Sequence, residues 1–123
     1  RTGTAAEEES AQVPEELRRV LEYINVNYAG PIAVGALAEM AFVSRNTLER
    51  RFQQYLGVSP YAYITEKRLT CSLHMLLRGA SVAEACARSG FSDCSQFIAK
   101  FRRKFGATPH QYIRLKNPPG GRA

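Results

Sequence analysis

Side chains able to contact nucleic-acid bases recur at helical spacing near the middle of the chain. Asn46, Glu49, Arg50 and Gln53 lie three or four residues apart, a spacing that places them on one face of a helix. Arginine can donate two hydrogen bonds to guanine, asparagine or glutamine can pair with adenine, and glutamate can accept from cytosine. This first row therefore offers the donors and acceptors needed to contact base edges.

A second row, Ser95, Ile98, Ala99 and Arg102, has the same spacing near the end of the chain. Its serine and arginine can donate hydrogen bonds, whereas the isoleucine and alanine offer apolar contact, for instance to thymine methyl groups. The second row is therefore the weaker set of base contacts. For either row, the alternative interpretation is the solvated face of a surface helix.

Polar and cationic side chains suited to phosphate binding accompany both rows. Lys100, Arg103 and Lys104 form a basic run around the second row, and Arg45 and Thr47 stand at the start of the first. Contacts to phosphate position a protein on DNA without carrying sequence information directly. We expect these five side chains to contact the phosphate backbone.

Both rows belong to a phrase that occurs twice, as RNTLERRFQQYLGVSPYAYI (45–64) and CSQFIAKFRRKFGATPHQYI (94–113). The residues that recur at a separation of 49 positions are Phe52 and Phe101, Gly57 and Gly106, Pro60 and Pro109, Tyr63 and Tyr112, and Ile64 and Ile113. The shared residues are apolar or turn-forming, whereas the polar positions differ. One scaffold used twice, with different surface chemistry in each copy, accounts for this pattern. The apolar residues that precede the phrase recur at 48 positions, so we expect one additional residue in the second turn.

Hydrophobic periodicity predicts the helices that position the two rows. The predicted helices cover about residues 14–29, 34–41, 45–56, 60–77, 82–88, 94–105 and 109–115. Ser44, Ser81 and Asp93 are suitable N-caps, and Gly57 and Gly106 end the helices that carry the rows. No segment shows the two-residue period of a strand.

The arrangement of these helices predicts an all-α fold with seven helices. Two short helices joined by a tight turn, the second of them longer and polar on its outer face, describe a helix-turn-helix. We expect one helix-turn-helix subdomain at about residues 33–56, another at about 81–105, and a long central linker helix at about 60–77 that joins them.

Charge is unevenly distributed along the 123 residues, which carry +6 in total. Residues 1–12 sum to −2, so the remainder carries +8, an excess that favours a polyanionic partner such as nucleic acid. We expect 1–12 to be a flexible acidic linker from a longer protein, 13–115 to form the domain and 116–123 to be a disordered tail. The absence of a signal-peptide pattern or a membrane-length apolar run favours a cytoplasmic location.

The cysteines and histidines suggest neither a cross-linked nor a catalytic protein. Cys71, Cys86 and Cys94 are odd in number and include no CxxC spacing, so we expect no disulfide framework and no zinc site. Cys71 and Cys86 lie in apolar helical patterns, where cysteine is usually a small buried side chain. Catalysis would need a nucleophile beside a base or a cluster of metal ligands. The sequence offers neither, and we expect no enzyme activity, cofactor or metal.

The runs LAEMAFVSRNTLERRF and GFSDCSQFIAKFRRKFGATPHQY resemble the DNA-binding domain of the AraC/XylS family of bacterial transcription regulators, over about residues 14–115. The residues that fit the family signature are Gly90, Phe91, Ser92, Asp93, Ser95, Phe97, Phe101, Gly106, Pro109 and Tyr112. The resemblance implies seven helices, two helix-turn-helix units spaced by a central helix, and sequence-specific binding of double-stranded DNA in successive major-groove segments, usually for activation.

The same resemblance assigns base-contacting positions. Those of the first unit fall on Asn46, Glu49 and Arg50, and those of the second fall on Cys94, Ser95 and Ala99. Family members often carry arginine where this chain has Ala99, so we expect the first unit to be the stronger base reader and the second to depend more on the DNA backbone.

The resemblance also implies partners beyond DNA. RNA polymerase is one expected partner, and effector binding or dimerisation would belong to a missing N-terminal domain. The alternative function is a helical protein-interaction module whose basic face binds an acidic partner such as RNA polymerase.

Overall fold

A computed structural model describes residues 13–116. Its helices are α1 (Glu15–Asn27), α2 (Val34–Met40), α3 (Arg45–Leu56), α4 (Pro60–Leu77), α5 (Val82–Arg88), α6 (Cys94–Phe105) and α7 (Pro109–Lys116). The predicted all-α class with seven helices is confirmed, since these residues contain no strand. None of the seven helices combines the length and the apolar character needed to span a membrane.

The observed helix ends differ from the predicted ones at both ends of the described chain. Pro14, expected as the first helical residue, precedes α1 as its N-cap. Lys116, expected in the tail, is the last residue of α7. The rest of the expected linker and tail, residues 1–12 and 117–123, lies outside the described residues.

Local signals explain where the short helices begin and end. Ser81 Oγ accepts from the Glu84 N–H at 3.0 Å while Glu84 Oε1 accepts from the Ser81 N–H at 2.9 Å, a capping box that starts α5. α3 and α6 end at Gly57 and Gly106, whose φ angles are 75° and 85°. Glycine adopts this left-handed conformation without the steric penalty of a Cβ atom.

The chain divides into two compact units between Thr65 and Glu66, within α4. In the first unit, α2 packs against α1 and α3. Its buried core consists of Val13, Leu17, Val20, Leu21, Ile24, Leu37, Ala38, Ala41, Leu48, Phe52 and Ile64. Burial of these side chains from α1, α2, α3 and the first turns of α4 fixes the orientation of α3.

In the second unit, α6 packs against both α5 and α7. Its buried core consists of Leu69, Leu76, Ala85, Cys86, Phe97 and Phe101. The ring of Phe101 lies among three other aromatic rings, with centroid distances of 5.8 Å to Phe97, 4.5 Å to Phe105 and 5.9 Å to Tyr112. This aromatic group orients α6, as the core of the first unit orients α3.

The turn of the second helix-turn-helix contains the additional residue that the sequence predicts. Each turn is closed by a backbone hydrogen bond between residues five apart, from Val43 N to Ala38 O at 3.0 Å and from Phe91 N to Cys86 O at 3.1 Å. α3 begins two residues after the first of these bonds, whereas α6 begins three residues after the second. The additional residue is therefore Ser92.

The cysteines depart from the sequence-based expectation. Cys86 and Cys94 form a disulfide, with their Cα atoms 6.0 Å apart, a bond that the expectation of no disulfide framework did not include. Cys86 is 1% exposed, as expected for a small buried side chain, and Cys71 is half-buried with a free thiol. The odd number of cysteines and their spacing along the chain did not indicate this bond, because it depends on the packing of α5 against α6.

Candidate nucleic-acid interface

Helix α3 is held by an apolar inner face. Leu48 is 1% exposed and Phe52 is fully buried, and the Phe52 ring meets the Tyr63 ring edge-on at a centroid distance of 5.9 Å. Because an α-helix has 3.6 residues per turn, burial of this stripe directs the side chains of the opposite stripe to solvent. The core thus determines which residues of α3 a ligand can reach.

The first row occupies that outward side. Asn46, Arg50 and Gln53 lie opposite the buried stripe, Glu49 lies at its edge, and all four are exposed. Within residues 13–116, the side chains of Asn46, Glu49 and Gln53 make no hydrogen bond or ion pair, so their polar groups are available to a ligand. Gln54 is also exposed on this side. The sequence interpretation missed it, although its position four residues after Arg50 could have shown it.

A series of hydrogen bonds leads from the N-cap of α3 to Arg50. Ser44 Oγ accepts from the Thr47 N–H at 3.1 Å and donates to Thr47 Oγ1 at 3.0 Å. Arg50 Nη2 donates to the same Thr47 oxygen at 3.5 Å, which is longer than a strong hydrogen bond. The hydroxyl proton of Thr47 remains for another acceptor, and Arg50 can leave Thr47 at little cost.

Helix α6, like α3, has a buried face opposite an exposed one, and its buried side chains are larger. Phe97 and Phe101 are fully buried, while Ser95, Ala99 and Arg102 are exposed on the opposite side. The structure brings these three predicted contacts together on one face of α6. Of these three side chains, only the serine hydroxyl and the arginine guanidinium can donate hydrogen bonds, so the second row offers fewer base contacts than the first row on α3.

The two remaining predicted base contacts of α6 are less directly presented. Ile98 is half-buried and packs against the core of the second unit. Cys94 is an exposed residue, but its sulfur is bonded to Cys86 of α5. Contacts from Ile98 and Cys94 to DNA remain predictions, and those from Ser95 and Arg102 have the more favourable geometry.

Asp93 determines where α6 begins. Its Oδ1 atom accepts from the N–H groups of Ser95 at 2.9 Å and Gln96 at 3.3 Å, which would otherwise lack partners in the first turn. Replacing Asp93 with alanine should lower the free energy of unfolding by about 1 kcal/mol, measured by urea denaturation. Asp93→Asn keeps an acceptor and should stay within about 0.5 kcal/mol of the original chain. Equal losses in the two variants would contradict the capping role.

The predicted phosphate contacts differ in their surroundings. Arg45 and Arg103 are exposed, whereas Thr47 and Lys100 are half-buried. Lys104 Nζ lies 2.6 Å from Glu66 Oε1 and 5.4 Å from the centroid of the Phe105 ring.

The basic run at the end of α6 thus has structural roles as well. Arg103 and Lys104 lie in the last turn of the helix, where positive charge interacts favourably with the helix dipole. Because Glu66 already pairs with Lys104, Arg103 is better placed to neutralise a phosphate. The sequence interpretation missed this pair, whose partners lie 38 residues apart.

Comparison with known proteins finds relatives among transcription regulators. A family of helix-turn-helix domains matches residues 37–115. The chain is 35% identical over 94 residues to the HTH-type transcriptional activator RhaS of Escherichia coli O139:H28, which covers 76% of this chain and 34% of RhaS. Identity with RhaS of Salmonella schwarzengrund is 32% over 95 residues, with the same coverage of 76% and 34%. The chain thus spans about a third of the length of these curated relatives.

Solved structures share the fold. The DNA-binding domain of AdpA, a global transcriptional factor solved in complex with a target DNA, aligns with a TM-score of 0.78 and 28% identity, over 85% of this chain and 98% of that domain. A probable AraC family transcriptional regulator from Rhodopseudomonas palustris aligns with a TM-score of 0.76 and 30% identity, over 85% of this chain and 100% of that one. The helices described above therefore have counterparts in a domain that was solved bound to DNA.

Proposed function

Since this chain belongs to the AraC/XylS family and contains its DNA-binding helix-turn-helix domain, we propose that it binds specific duplex sequences and activates bacterial transcription. α3 and α6 serve as the recognition helices, in successive major-groove segments. The proposed base contacts are Asn46, Glu49, Arg50, Gln53, Cys94, Ser95, Ile98, Ala99 and Arg102. The proposed phosphate contacts are Arg45, Thr47, Lys100, Arg103 and Lys104.

The exposed row on α3 is the observation that supports sequence-specific binding most strongly. Asn46, Glu49 and Gln53 are exposed on one helix side and unpaired within residues 13–116. Amide and carboxylate groups pair selectively with adenine and cytosine, and the neighbouring Arg50 with guanine. The second row on α6 has fewer hydrogen-bonding side chains and is followed by more positive charge, so we propose that α3 supplies most of the sequence preference and that α6 contributes more to binding the backbone.

Selection from random duplexes tests the proposal. Duplexes retained by the chain in a mobility-shift assay should converge on one sequence family. Base-interference mapping should then show two clusters of important bases about one helical turn, or roughly 34 Å, apart, with stronger preferences in the cluster assigned to α3. Retention of no preferred sequence would contradict the proposal and would leave the alternative, an interaction module for an acidic protein partner.

Arg103 should contribute more to phosphate binding than Lys104, its neighbour on α6. Arg103→Ala should weaken binding to all duplexes equally and lower the slope of log affinity against log salt by about 1. Lys104→Ala should lower this slope by less, because the ammonium group is already paired with Glu66. Titrations at several salt concentrations measure both slopes. Equal slopes in the two variants would mean that the Glu66 pair does not compete with phosphate.

Binding partners other than DNA are part of the same proposal. An activator acts by recruiting transcription machinery, so we propose contact with RNA polymerase and a location on the bacterial nucleoid in the cytoplasm. Because the relatives are about three times longer than the aligned region, we propose that effector sensing or dimerisation belongs to a preceding N-terminal domain. Addition of purified RNA polymerase to the DNA complex, followed by a second mobility shift, tests the first of these points.

A further inference from the structure

The disulfide between Cys86 and Cys94 joins the core of the second unit to its recognition helix. Cys86 lies on α5 and is 1% exposed, whereas Cys94 is the exposed first residue of α6. Their Cα atoms are 6.0 Å apart, within the usual range for disulfides. Packing of α5 against α6 therefore brings the two sulfur atoms together at the start of the helix that is proposed to enter the major groove.

We propose that Cys86 and Cys94 form a reversible thiol-oxidation site whose oxidant is hydrogen peroxide or an organic hydroperoxide, and that its redox state sets the affinity of the second unit for DNA. This inference rests on the proposed DNA-binding function. A protein that acts on bacterial DNA works in a reducing cytoplasm, where disulfides are usually transient and report oxidation. The bond therefore marks the oxidised state of the site, and the dithiol marks its resting state.

Unequal exposure of the two cysteines assigns their roles. Cys94 is the exposed residue of the two, so its sulfur attacks one peroxide oxygen as the thiolate. The O–O bond breaks, Cys94 becomes a sulfenic acid, and the other oxygen takes up the thiol proton and leaves as water or an alcohol. Cys86 is buried and adjacent, so it reacts second.

The second step closes the bridge. The sulfur of Cys86 attacks the sulfenic sulfur of Cys94, the S–O bond breaks, the S–S bond forms, and hydroxide leaves as water with the proton of Cys86. Two thiols thus give two electrons to one peroxide. A dithiol reductant returns two electrons by attack on the exposed side of the bond and restores both thiols.

The bridge orders the turn that positions α6. The segment between Cys86 and Cys94 includes the whole turn of the second helix-turn-helix, residues 89–93. In this turn, Ser89 Oγ donates to Ala85 O at 2.6 Å and Phe91 N donates to Cys86 O at 3.1 Å. The dithiol form keeps these hydrogen bonds but loses the covalent link from α5 to the first residue of α6. Because pre-ordering a binding element lowers the entropy lost on binding, we expect the bridged form to bind its duplex about five- to tenfold more tightly.

Thermodynamic reciprocity gives the proposal a second, independent readout. If oxidation strengthens DNA binding by a given factor, DNA must stabilise the disulfide by the same factor. A tenfold effect corresponds to a shift of about 30 mV in the midpoint potential of the cysteine pair. A disulfide that does not change the affinity for DNA would show no such shift on addition of DNA.

The test uses the 123-residue chain with Cys71→Ser, which leaves only the two cysteines of interest. Thiols are counted after treatment with hydrogen peroxide and again after dithiothreitol. We expect both to be lost to an intramolecular bond and both to return. The affinity of each form is then measured for a labelled duplex recovered by selection from random sequences, and the midpoint potential is measured in dithiothreitol buffers with and without that duplex.

Cys86→Ala and the unsubstituted chain serve as controls. Cys86→Ala should lose the redox dependence of binding, whereas the unsubstituted chain should retain it. The redox proposal is overturned if both thiols survive peroxide, or if the two forms bind alike and DNA leaves the midpoint unchanged. The thiol count needs no DNA, whereas the binding and midpoint outcomes require a duplex that the chain retains. If neither form retains any duplex from the random pool, the proposed DNA-binding function itself fails, so the two failures are distinct.

Discussion

Replacing Phe101 with alanine should lower the free energy of unfolding by about 3–5 kcal/mol. Phe101 is fully buried, and its ring lies between those of Phe97 and Phe105 on its own helix and Tyr112 on α7. Close-packed interiors refill such a cavity only in part. Because small domains are stable by about 5–15 kcal/mol, this single truncation should remove much of the stability that holds α6 in place, and with it the contribution of α6 to DNA binding.

Urea denaturation followed by circular dichroism measures this loss, and Phe42→Ala is the matched control. Phe42 is 83% exposed, so the same truncation should change the free energy of unfolding by less than about 0.5 kcal/mol. If Phe101→Ala were no more destabilising than Phe42→Ala, the aromatic group would not be the element that stabilises the second unit.

The sequence predicts those features of the fold that depend on neighbouring residues. The N-cap of α3 at Ser44 and its end at Gly57 follow from local hydrogen bonding and from backbone sterics, and the structure shows both. The inward positions of Phe52 and Phe101 follow from helical periodicity. For the same reason, the four residues of the first row were predicted on the exposed side of α3, although Gln54 was missed there.

Features that depend on contacts between helices were not predictable in this way. The bond from Cys86 to Cys94 requires α5 and α6 to pack with a particular rotation, which cysteine spacing does not report. The pair between Glu66 and Lys104 spans 38 residues, and charge patterning along one helix cannot find it. Both features change the expected chemistry of α6. The disulfide removes the Cys94 thiol from its surface, and the ion pair with Glu66 partly neutralises the Lys104 ammonium group.

The second large effect is expected at Arg50. Arg50→Ala should reduce the preference for one base by about 1–3 kcal/mol, which corresponds to a loss of roughly 5- to 150-fold in discrimination between matched and mismatched duplexes. Arg50 is exposed on the outward side of α3, and within residues 13–116 its guanidinium is held only by the long contact of 3.5 Å to Thr47 Oγ1. Little energy is therefore lost when it turns to guanine. Binding to the selected duplex and to its single-base variants measures the effect.

Two further variants separate recognition by Arg50 from its charge. Arg50→Lys keeps the positive charge but lacks the planar pair of donors, so it should retain the salt dependence of binding while losing most of the discrimination. Arg19→Ala removes one positive charge from an exposed position on α1, a helix other than the recognition helix, and should weaken all duplexes slightly and equally. If Arg50→Ala behaved like Arg19→Ala, Arg50 would be a backbone contact, and sequence preference in the first unit would have to come from Asn46, Glu49 and Gln53 alone.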